Sequence, residues 1–214
     1  MQILKLFLEK ELKINSKKII EQFINYEKFL FDWNSKINLV SRKTYSIESH
    51  ILNSIFFFTK YTFPVNSKII DIGTGGGFPG IPVKFLMSGL DMTLADSIQK
   101  KIKALTDIVS KLGLNSVRSV CGRAEDLAKK KDYSKKFDIV IAKSVSTLEN
   151  LYTWSIELVK NRGEMIFIKG GDISEEIISL ENKFKNINYK IINYNFDKIY
   201  GIEDKKIVVI NNKK

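Results

Sequence analysis

The sequence predicts an α/β fold in which a mostly parallel, seven-stranded sheet ends in an antiparallel hairpin and follows a helical N-terminal extension. A glycine-dense turn directly follows a short apolar run within residues 68–80. From there, strand-like and helix-like patterns alternate, which is typical of a doubly wound parallel sheet. Near the end of the chain, the strand-like runs 189–196 and 206–210 leave no room for a helix between them. We therefore expect these two runs to pair as a hairpin.

Residues 1–66 are predicted to form the helical extension. In their second segment, apolar side chains recur every three or four positions, at Ile19, Phe23, Tyr26, Leu30 and Trp33. Such spacing indicates one buried face of a helix. A third segment repeats the pattern, and the polar stretch 36–43 between the two is predicted to be a loop. Residues 67–214 are predicted to form the α/β domain.

In the α/β domain, short apolar runs bounded by turn residues predict the strands, and longer periodic segments predict the helices. The parallel strands are expected near 68–72, 92–95, 116–121, 137–142 and 163–168. The helices are expected near 80–88, 98–112, 123–130, 147–160 and 173–185.

Composition narrows the class of protein. With 44% hydrophobic residues and 214 residues in all, the chain can bury a sizeable core, and its net charge of +11 favours a polyanionic partner. No stretch approaches the length of a membrane span, and the first residues lack the apolar core of a signal peptide, so a cytoplasmic protein is expected. A single cysteine, Cys121, and a single histidine, His50, exclude a disulfide framework and predict no metal site.

The glycine turn can be aligned with two kinds of ligand motif. Gly75, Gly77 and Gly80 give the spacing of a dinucleotide-binding turn. Asp71, Gly73, Gly75 and Gly77 instead alternate as in the first motif of the Rossmann-like S-adenosylmethionine-dependent methyltransferases, which this stretch resembles. In both cases glycine lets the backbone turn tightly and a ligand approach closely.

A second acidic residue supports a cofactor with a ribose. Asp96 ends the second predicted strand, 23 residues after Gly73, where a carboxylate accepts hydrogen bonds from ribose hydroxyls in either cofactor class. The terminal hairpin favours the methyltransferase, because a dinucleotide-binding fold normally closes with further parallel units. An NAD-dependent oxidoreductase is the alternative.

The whole pattern resembles the RsmG (GidB) family, bacterial methyltransferases that modify a guanine N7 in 16S ribosomal RNA. The main match is the run GTGGGFPGIPV at 73–83. Supporting matches lie at 38–41, 50–54, 94–97 with Lys100 and Lys101, 123–125 and 169–170. They extend in order over nearly the whole chain. The resemblance implies a Rossmann-like class I methyltransferase fold, S-adenosyl-L-methionine as cofactor, and 16S ribosomal RNA or the small ribosomal subunit as partner of a monomeric enzyme.

The resemblance also implies residue roles. Gly73 and Phe78 are expected to touch the cofactor, Ala124 and Glu125 to flank its adenine, and Asp71 to meet its ammonium group directly or through water. The full set of expected cofactor-binding residues is Asp71, Gly73, Gly75, Gly77, Phe78, Asp96, Ala124, Glu125 and Lys143.

Two lysines follow predicted strands at the ligand-binding edge of the sheet, and we predict that they act in catalysis. Lys143 is expected near the cofactor and target base, and Lys169 at the base or a phosphate. The predicted RNA-binding residues are Asn38, Arg42, His50, Lys101 and Lys169. Two positions depart from the family pattern, since Lys143 replaces an arginine and Asn53 replaces an acid.

The residues suit alkylation of guanine N7, which has a lone pair and no proton to lose, so that alignment matters more than a general base. Methylation of pyrimidine C5 needs a cysteine nucleophile, whereas Cys121 is predicted to be buried in the third strand. Amino-group methylation of adenine usually uses a proline-rich loop after the fourth strand, and residues 142–145 contain no proline. A small-molecule methyltransferase whose N-terminal helices form a lid is a further alternative.

Overall fold

The structure is a computed structural model that describes residues 1–212. Within them the α-helices are α1 (Gln2–Lys10), α2 (Lys17–Asn34), α3 (Glu48–Ile55), α4 (Gly80–Leu86), α5 (Gln99–Lys111), α6 (Ala124–Ala128), α7 (Leu148–Ser155) and α8 (Ser174–Lys183). The strands are β1 (Lys68–Ile72), β2 (Asp91–Asp96), β3 (Val117–Cys121), β4 (Phe137–Lys143), β5 (Val159–Gly170), β6 (Tyr189–Tyr194) and β7 (Lys205–Asn211).

One seven-stranded sheet has the order β3-β2-β1-β4-β5-β7-β6. The first five strands pair in parallel, and β7 lies antiparallel between β5 and β6. The predicted hairpin is therefore confirmed. The chain moves outward from β1 in both directions, so the carboxyl ends of β1 and β4 flank the point where open α/β sheets bind ligands.

The sheet separates two hydrophobic cores. Successive residues of β1 point to opposite faces, so that Ile69 joins one core and its neighbour Ile70 the other. The first core also takes in α1 to α5, whereas α6, α7 and α8 cover the second. This gives three layers, with the N-terminal helices in the same layer as α4 and α5.

The N-terminal helices are bonded to the sheet layer at several points. The indole of Trp33 on α2 donates to the Asp107 carboxylate of α5 at 2.7 Å. The hydroxyl of Tyr194 on β6 donates to the Phe57 carbonyl at 3.0 Å. Residues 1–66 thus share one core with a face of the sheet, and their division from residues 67–214 as a separate domain stays a prediction.

Two sequence-based expectations were wrong in detail. The helix expected at 147–160 ends at Ser155, and β5 already begins at Val159. After Val159, residues 160–162 of β5 are polar. Arg162 has a positive φ of 63°, and the pairing with β4 shifts register there. This part of the strand therefore lacks the apolar run by which strands are predicted. Cys121 was expected to be buried, but it ends the edge strand β3 and is partly exposed.

Candidate active site

A cavity lies at the carboxyl ends of β1, β2 and β3, and we call it the strand-end cavity. Four residues that the sequence predicted as cofactor ligands line it together: Gly73, Asp96, Ala124 and Glu125. Its other lining residues are Ile72, Ala95, Ser97, Gly122, Arg123, Val145 and Trp154. The sheet topology thus gathers side chains from four separate segments into one site.

The wall of this cavity requires glycine at position 73. Gly73 has a positive φ of 69°, and a Cβ added to it would lie 2.7 Å from a methyl carbon of Val145. That distance is a steric clash, so a side chain would both strain the backbone and push against Val145. Gly73 and Val145 therefore pack directly against each other in the cavity wall.

Asp96 fixes the glycine turn and also faces the cavity. One carboxylate oxygen accepts from the Gly75 amide at 3.0 Å, and the other accepts from the Ile98 amide at 2.9 Å. Each carboxylate oxygen has two lone pairs, so both can still accept from ribose hydroxyls. Ala124 begins α6, and backbone amides in a first helical turn have no partner within the helix. This set of groups fits a nucleoside-bearing cofactor.

Asp71 lies fully buried beneath the turn. One oxygen accepts from the Thr74 hydroxyl at 2.6 Å and from the Gly80 amide at 2.8 Å. Its other oxygen has no hydrogen-bond partner among residues 1–212. Burial raises the pKa of Asp71 to about 7, although these hydrogen bonds and the charge of Lys143 oppose the shift. Asp71 therefore supports the turn, and its contact with a cofactor ammonium group stays a prediction.

Gly77 and Phe78 attach the turn to the N-terminal helices. A Cβ on Gly77 would lie 2.9 Å from the hydroxyl of Tyr26, which donates to the Gly76 carbonyl at 2.7 Å. The Phe78 ring packs against Tyr26 and against His50, with centroids 5.4 Å and 5.3 Å away. Gly75, Gly77 and Phe78 all lie outside the lining of the strand-end cavity, so their direct contact with a cofactor stays a prediction.

A second pocket adjoins the first, and we call it the basic pocket. It is lined by Ser49, His50, Asn53, Lys143, Ser144, Ile168, Lys169 and Lys205. Lys143 and Ser144 lead directly into Val145, which lines the strand-end cavity. The predicted residues His50, Lys143 and Lys169 therefore come together beside the cavity, although Lys143 does not line the cavity itself.

The ionisable groups of the basic pocket affect one another. Burial lowers the pKa of His50, and the neighbouring charge of Lys143 lowers it further, so the imidazole is neutral at pH 7. Burial also lowers the pKa of Lys143, an effect that Asp71 opposes and Lys205 increases. The Lys143 ammonium lies 5.7 Å from the centroid of the Phe78 ring.

Lys169 has partners within the protein. Its ammonium donates to the Ser146 carbonyl at 3.0 Å and pairs with the Glu176 carboxylate at 2.7 Å. It thereby joins β5 to the loop after β4 and to α8. One of its three N–H groups remains for a base or a phosphate.

Comparison with known proteins places the chain in a family. The family model for GidB, described as rRNA small subunit methyltransferase G, matches residues 19–203. The chain belongs to this family. The resemblance predicted from the sequence is thus confirmed.

Relatives and solved structures agree with this family. The ribosomal RNA small subunit methyltransferase G of Clostridium novyi (strain NT) is 41% identical over 169 residues, which are 78% of this chain and 69% of the relative. That of Clostridium beijerinckii is 36% identical over 179 residues, 83% of this chain and 75% of the relative. A SAM-dependent methyltransferase from Aquifex aeolicus superposes with a TM-score of 0.56 at 14% identity, covering 78% of this chain and 92% of that one. The Rossmann-like methyltransferase fold is confirmed.

Three predicted RNA-binding residues of this GidB family member lie outside both pockets. Asn38 and Arg42 are exposed in the loop between α2 and α3, where the Arg42 guanidinium donates to the side-chain amide oxygen of Asn38 at 3.3 Å. The same loop packs on the glycine turn. A Cβ added to Gly76 of that turn would lie only 3.4 Å from the Leu39 carbonyl oxygen. Lys101 is in the first turn of α5 and is partly exposed. Their role in binding RNA stays a prediction.

Several lining residues were not predicted from the sequence. Val145 and Trp154 are apolar residues whose position in the cavity wall depends on how the β4–α7 segment packs. Lys205 reaches the basic pocket from the opposite end of the chain. Asn53 was noted only as a departure from the family, yet its side-chain oxygen is buried without a hydrogen-bond partner in residues 1–212.

Neither a metal site nor a membrane span is found in the part of the chain that the structure describes. Within residues 1–212, no three His, Cys, Asp or Glu side chains are grouped so that they could hold a metal ion. In the same residues, every helix is too short or too polar to cross a bilayer.

Proposed function

We propose that this protein transfers a methyl group from S-adenosyl-L-methionine to N7 of a guanine in 16S ribosomal RNA. Membership of the GidB family makes it a methyltransferase of small-subunit ribosomal RNA. The observation that carries the proposal is the position of the basic pocket directly beside the strand-end cavity. A cofactor site and a site for an anionic substrate thus adjoin.

The strand-end cavity holds the cofactor in this proposal. Asp96 accepts from the ribose hydroxyls, the Ala124 amide donates to the adenine, and Gly73 borders the methionine part. The buried, unpartnered oxygen of Asp71 meets the ammonium group directly or through water. When bound, S-adenosyl-L-methionine supplies an electrophilic methyl group on its sulfonium.

The chain itself aligns the guanine and keeps water away. N7 attacks with its own lone pair, so no residue has to remove a proton from it. His50 is neutral at pH 7 and packs against Phe78, where its ring offers an uncharged face for a base. Lys143 and the free N–H of Lys169 supply positive charge for the nucleotide. Asn38, Arg42 and Lys101 extend the RNA contact beyond the pocket.

The alternatives are less well supported. A lid of N-terminal helices over a small-molecule site would have to open, whereas these helices share the core of one sheet face. An NAD-dependent oxidoreductase is excluded by family membership. We further propose that the enzyme acts as a monomer in the bacterial cytoplasm on the small subunit or its RNA.

Mapping of methylated nucleotides tests this function. Ribosomal RNA from cells with and without the gene is digested and analysed by mass spectrometry. We expect one 7-methylguanosine of 16S RNA to disappear without the gene and to return when purified enzyme and S-adenosyl-L-methionine are added to the deficient subunits. Identical methylation in both strains, or transfer to another atom, would contradict the proposal.

A further inference from the structure

Lys205 has a side-chain position that depends on a glycine in the neighbouring strand. It is the first residue of β7 and pairs with Gly170, the last residue of β5. A Cβ added to Gly170 would lie 2.8 Å from the Lys205 ammonium nitrogen and 3.3 Å from its Cδ. A methyl group at position 170 would therefore displace the flexible end of Lys205 from its place at the edge of the basic pocket.

The positive charges of the basic pocket are not balanced within the protein. Lys169 has Glu176 as its partner at 2.7 Å, and Lys143 is attracted by Asp71. Lys205 has neither a hydrogen bond nor an ion pair through its side chain among residues 1–212, and it lies close enough to Lys143 to repel its charge. Like charges in a half-buried site are unfavourable until an anion joins them.

The adjacent lysine does not share this arrangement. The Lys206 ammonium pairs with the Asp204 carboxylate at 3.0 Å and donates to the Gly171 carbonyl. The Lys206 charge is therefore paired with a carboxylate of the turn that precedes β7. Lys205 is the one of this pair that lines the basic pocket.

We propose that Lys205, held in place by the space above Gly170, binds a backbone phosphate of the target nucleotide in the basic pocket and so orients its guanine toward the strand-end cavity. This inference rests on the proposed function. A phosphate is favoured over the base because a lysine that bound guanine would donate to O6 and N7. A donor on N7 would occupy the lone pair that has to attack the methyl group.

Two single variants distinguish the effect of removing the Lys205 charge from the effect of moving it. Lys205→Ala removes the charge, whereas Gly170→Ala keeps every charge and displaces the ammonium by steric contact. Lys185→Ala, at an exposed site outside the basic pocket, is the control for general loss of positive charge. Binding of methyl-deficient small subunits is measured over a range of salt concentrations, together with methyl transfer, cofactor affinity and melting temperature.

We expect Lys205→Ala to weaken subunit binding about 10-fold, the effect of one charged hydrogen bond, and Gly170→Ala to weaken it less, because the flexible lysine end can shift. The slope of log affinity against log salt should fall by about 1 in Lys205→Ala, because one phosphate contact is lost. Cofactor affinity should stay at the wild-type value. The double variant should bind no more weakly than Lys205→Ala, because both changes act on the same contact. Lys185→Ala should resemble wild type.

Wild-type binding and salt slope in folded Lys205→Ala would overturn the phosphate contact. A normal Gly170→Ala beside a defective Lys205→Ala would overturn the role of the glycine. In both cases the wild-type enzyme still methylates the subunits, so the proposed function stands. Failure of the wild-type enzyme to methylate them would instead overturn the proposed function and this inference together.

Discussion

At the scale of single residues, Gly73 shows how a backbone angle and a lack of space combine in the wall of the strand-end cavity. Its φ is 69°, and a Cβ would lie 2.7 Å from a Val145 methyl carbon. We expect Gly73→Val to abolish measurable binding of S-adenosyl-L-methionine in isothermal titration while the fold survives. Gly113→Ala is the matched control, because Gly113 also has a positive φ, of 60°, but faces open space. Near-normal affinity in Gly73→Val would refute this cofactor site.

Lys143 supplies charge to the basic pocket without lining the strand-end cavity. We therefore expect Lys143→Ala to lower methyl transfer to small-subunit RNA by about 10- to 100-fold, the loss of a charged hydrogen bond. Lys143→Arg should keep most of the activity, because either side chain supplies the charge. Steady-state turnover on methyl-deficient subunits measures both variants, and titration should show cofactor affinity close to wild type. Wild-type turnover in Lys143→Ala would remove this residue from the site.

Burial of Asp71 gives folding stability a specific dependence on pH. Its pKa is raised from 3.8 to about 7, so between these values the folded state holds a proton that the unfolded state has lost. Stability therefore falls as pH rises through this window, by at most about 1.4 kcal/mol per pH unit, and levels off above it. In Asp71→Asn this contribution is absent.

Urea unfolding at pH 5, 6, 7 and 8 measures this contribution. The free energy of unfolding of Asp71→Asn should rise relative to wild type as pH increases from 5 to 7, and the difference should be constant at higher pH. Asp132→Asn, at an exposed position, should follow the wild-type profile. Parallel profiles for Asp71→Asn and wild type would contradict the raised pKa of Asp71.

At the scale of secondary-structure elements, the sequence predicted most of the sheet because its central strands are apolar runs bounded by glycine or charged residues. Where a strand is polar, the pattern of apolar residues did not predict its bounds. The first part of β5 contains Lys160, Asn161 and Arg162, and the register with β4 shifts across them. Contacts with neighbouring strands hold such a segment in the sheet, and the periodicity of a single sequence does not predict those contacts.

The candidate site could be predicted in part for a similar reason. Gly73, Asp96 and Ala124 lie at or just beyond the carboxyl ends of β1, β2 and β3, and parallel strands bring these ends to one edge of the sheet. Gly77 and Phe78 belong to the same motif but pack against α2 and α3, and Asp71 is buried beneath the turn. Lys205 depends on where the last strand inserts, and local sequence does not specify that.

The contact between α2 and the glycine turn can be tested with one hydroxyl group. Tyr26→Phe removes the buried hydrogen bond to the Gly76 carbonyl and leaves that carbonyl without a partner. We expect a loss of about 1–3 kcal/mol in the free energy of unfolding, together with weaker cofactor binding. Tyr45 is 95% exposed, so Tyr45→Phe removes a hydroxyl from the surface and should change neither stability nor cofactor binding. Equal stability of the two variants would show that the contact does not hold the turn.

At the scale of the whole molecule, the N-terminal helices are structural parts of the catalytic fold. They cover one face of the sheet, and their side chains form a continuous core with Ile69, Ile139 and Val209. They also carry His50 into the basic pocket and Tyr26 onto the glycine turn. The basic pocket and the packing of the core therefore depend on the same segment.

Deletion of residues 1–66 tests this dependence. The remaining chain would expose the apolar face of the sheet to water, at a cost of about 25 cal/mol per Å² of apolar surface. We expect the fragment to lack a cooperative thermal transition in circular dichroism and to bind no S-adenosyl-L-methionine. The full chain should unfold cooperatively and bind the cofactor. Adding residues 1–66 back as a peptide should restore binding if the packing is the cause. A fragment that unfolds cooperatively and binds the cofactor with full-chain affinity would instead show that residues 67–214 form an independent domain.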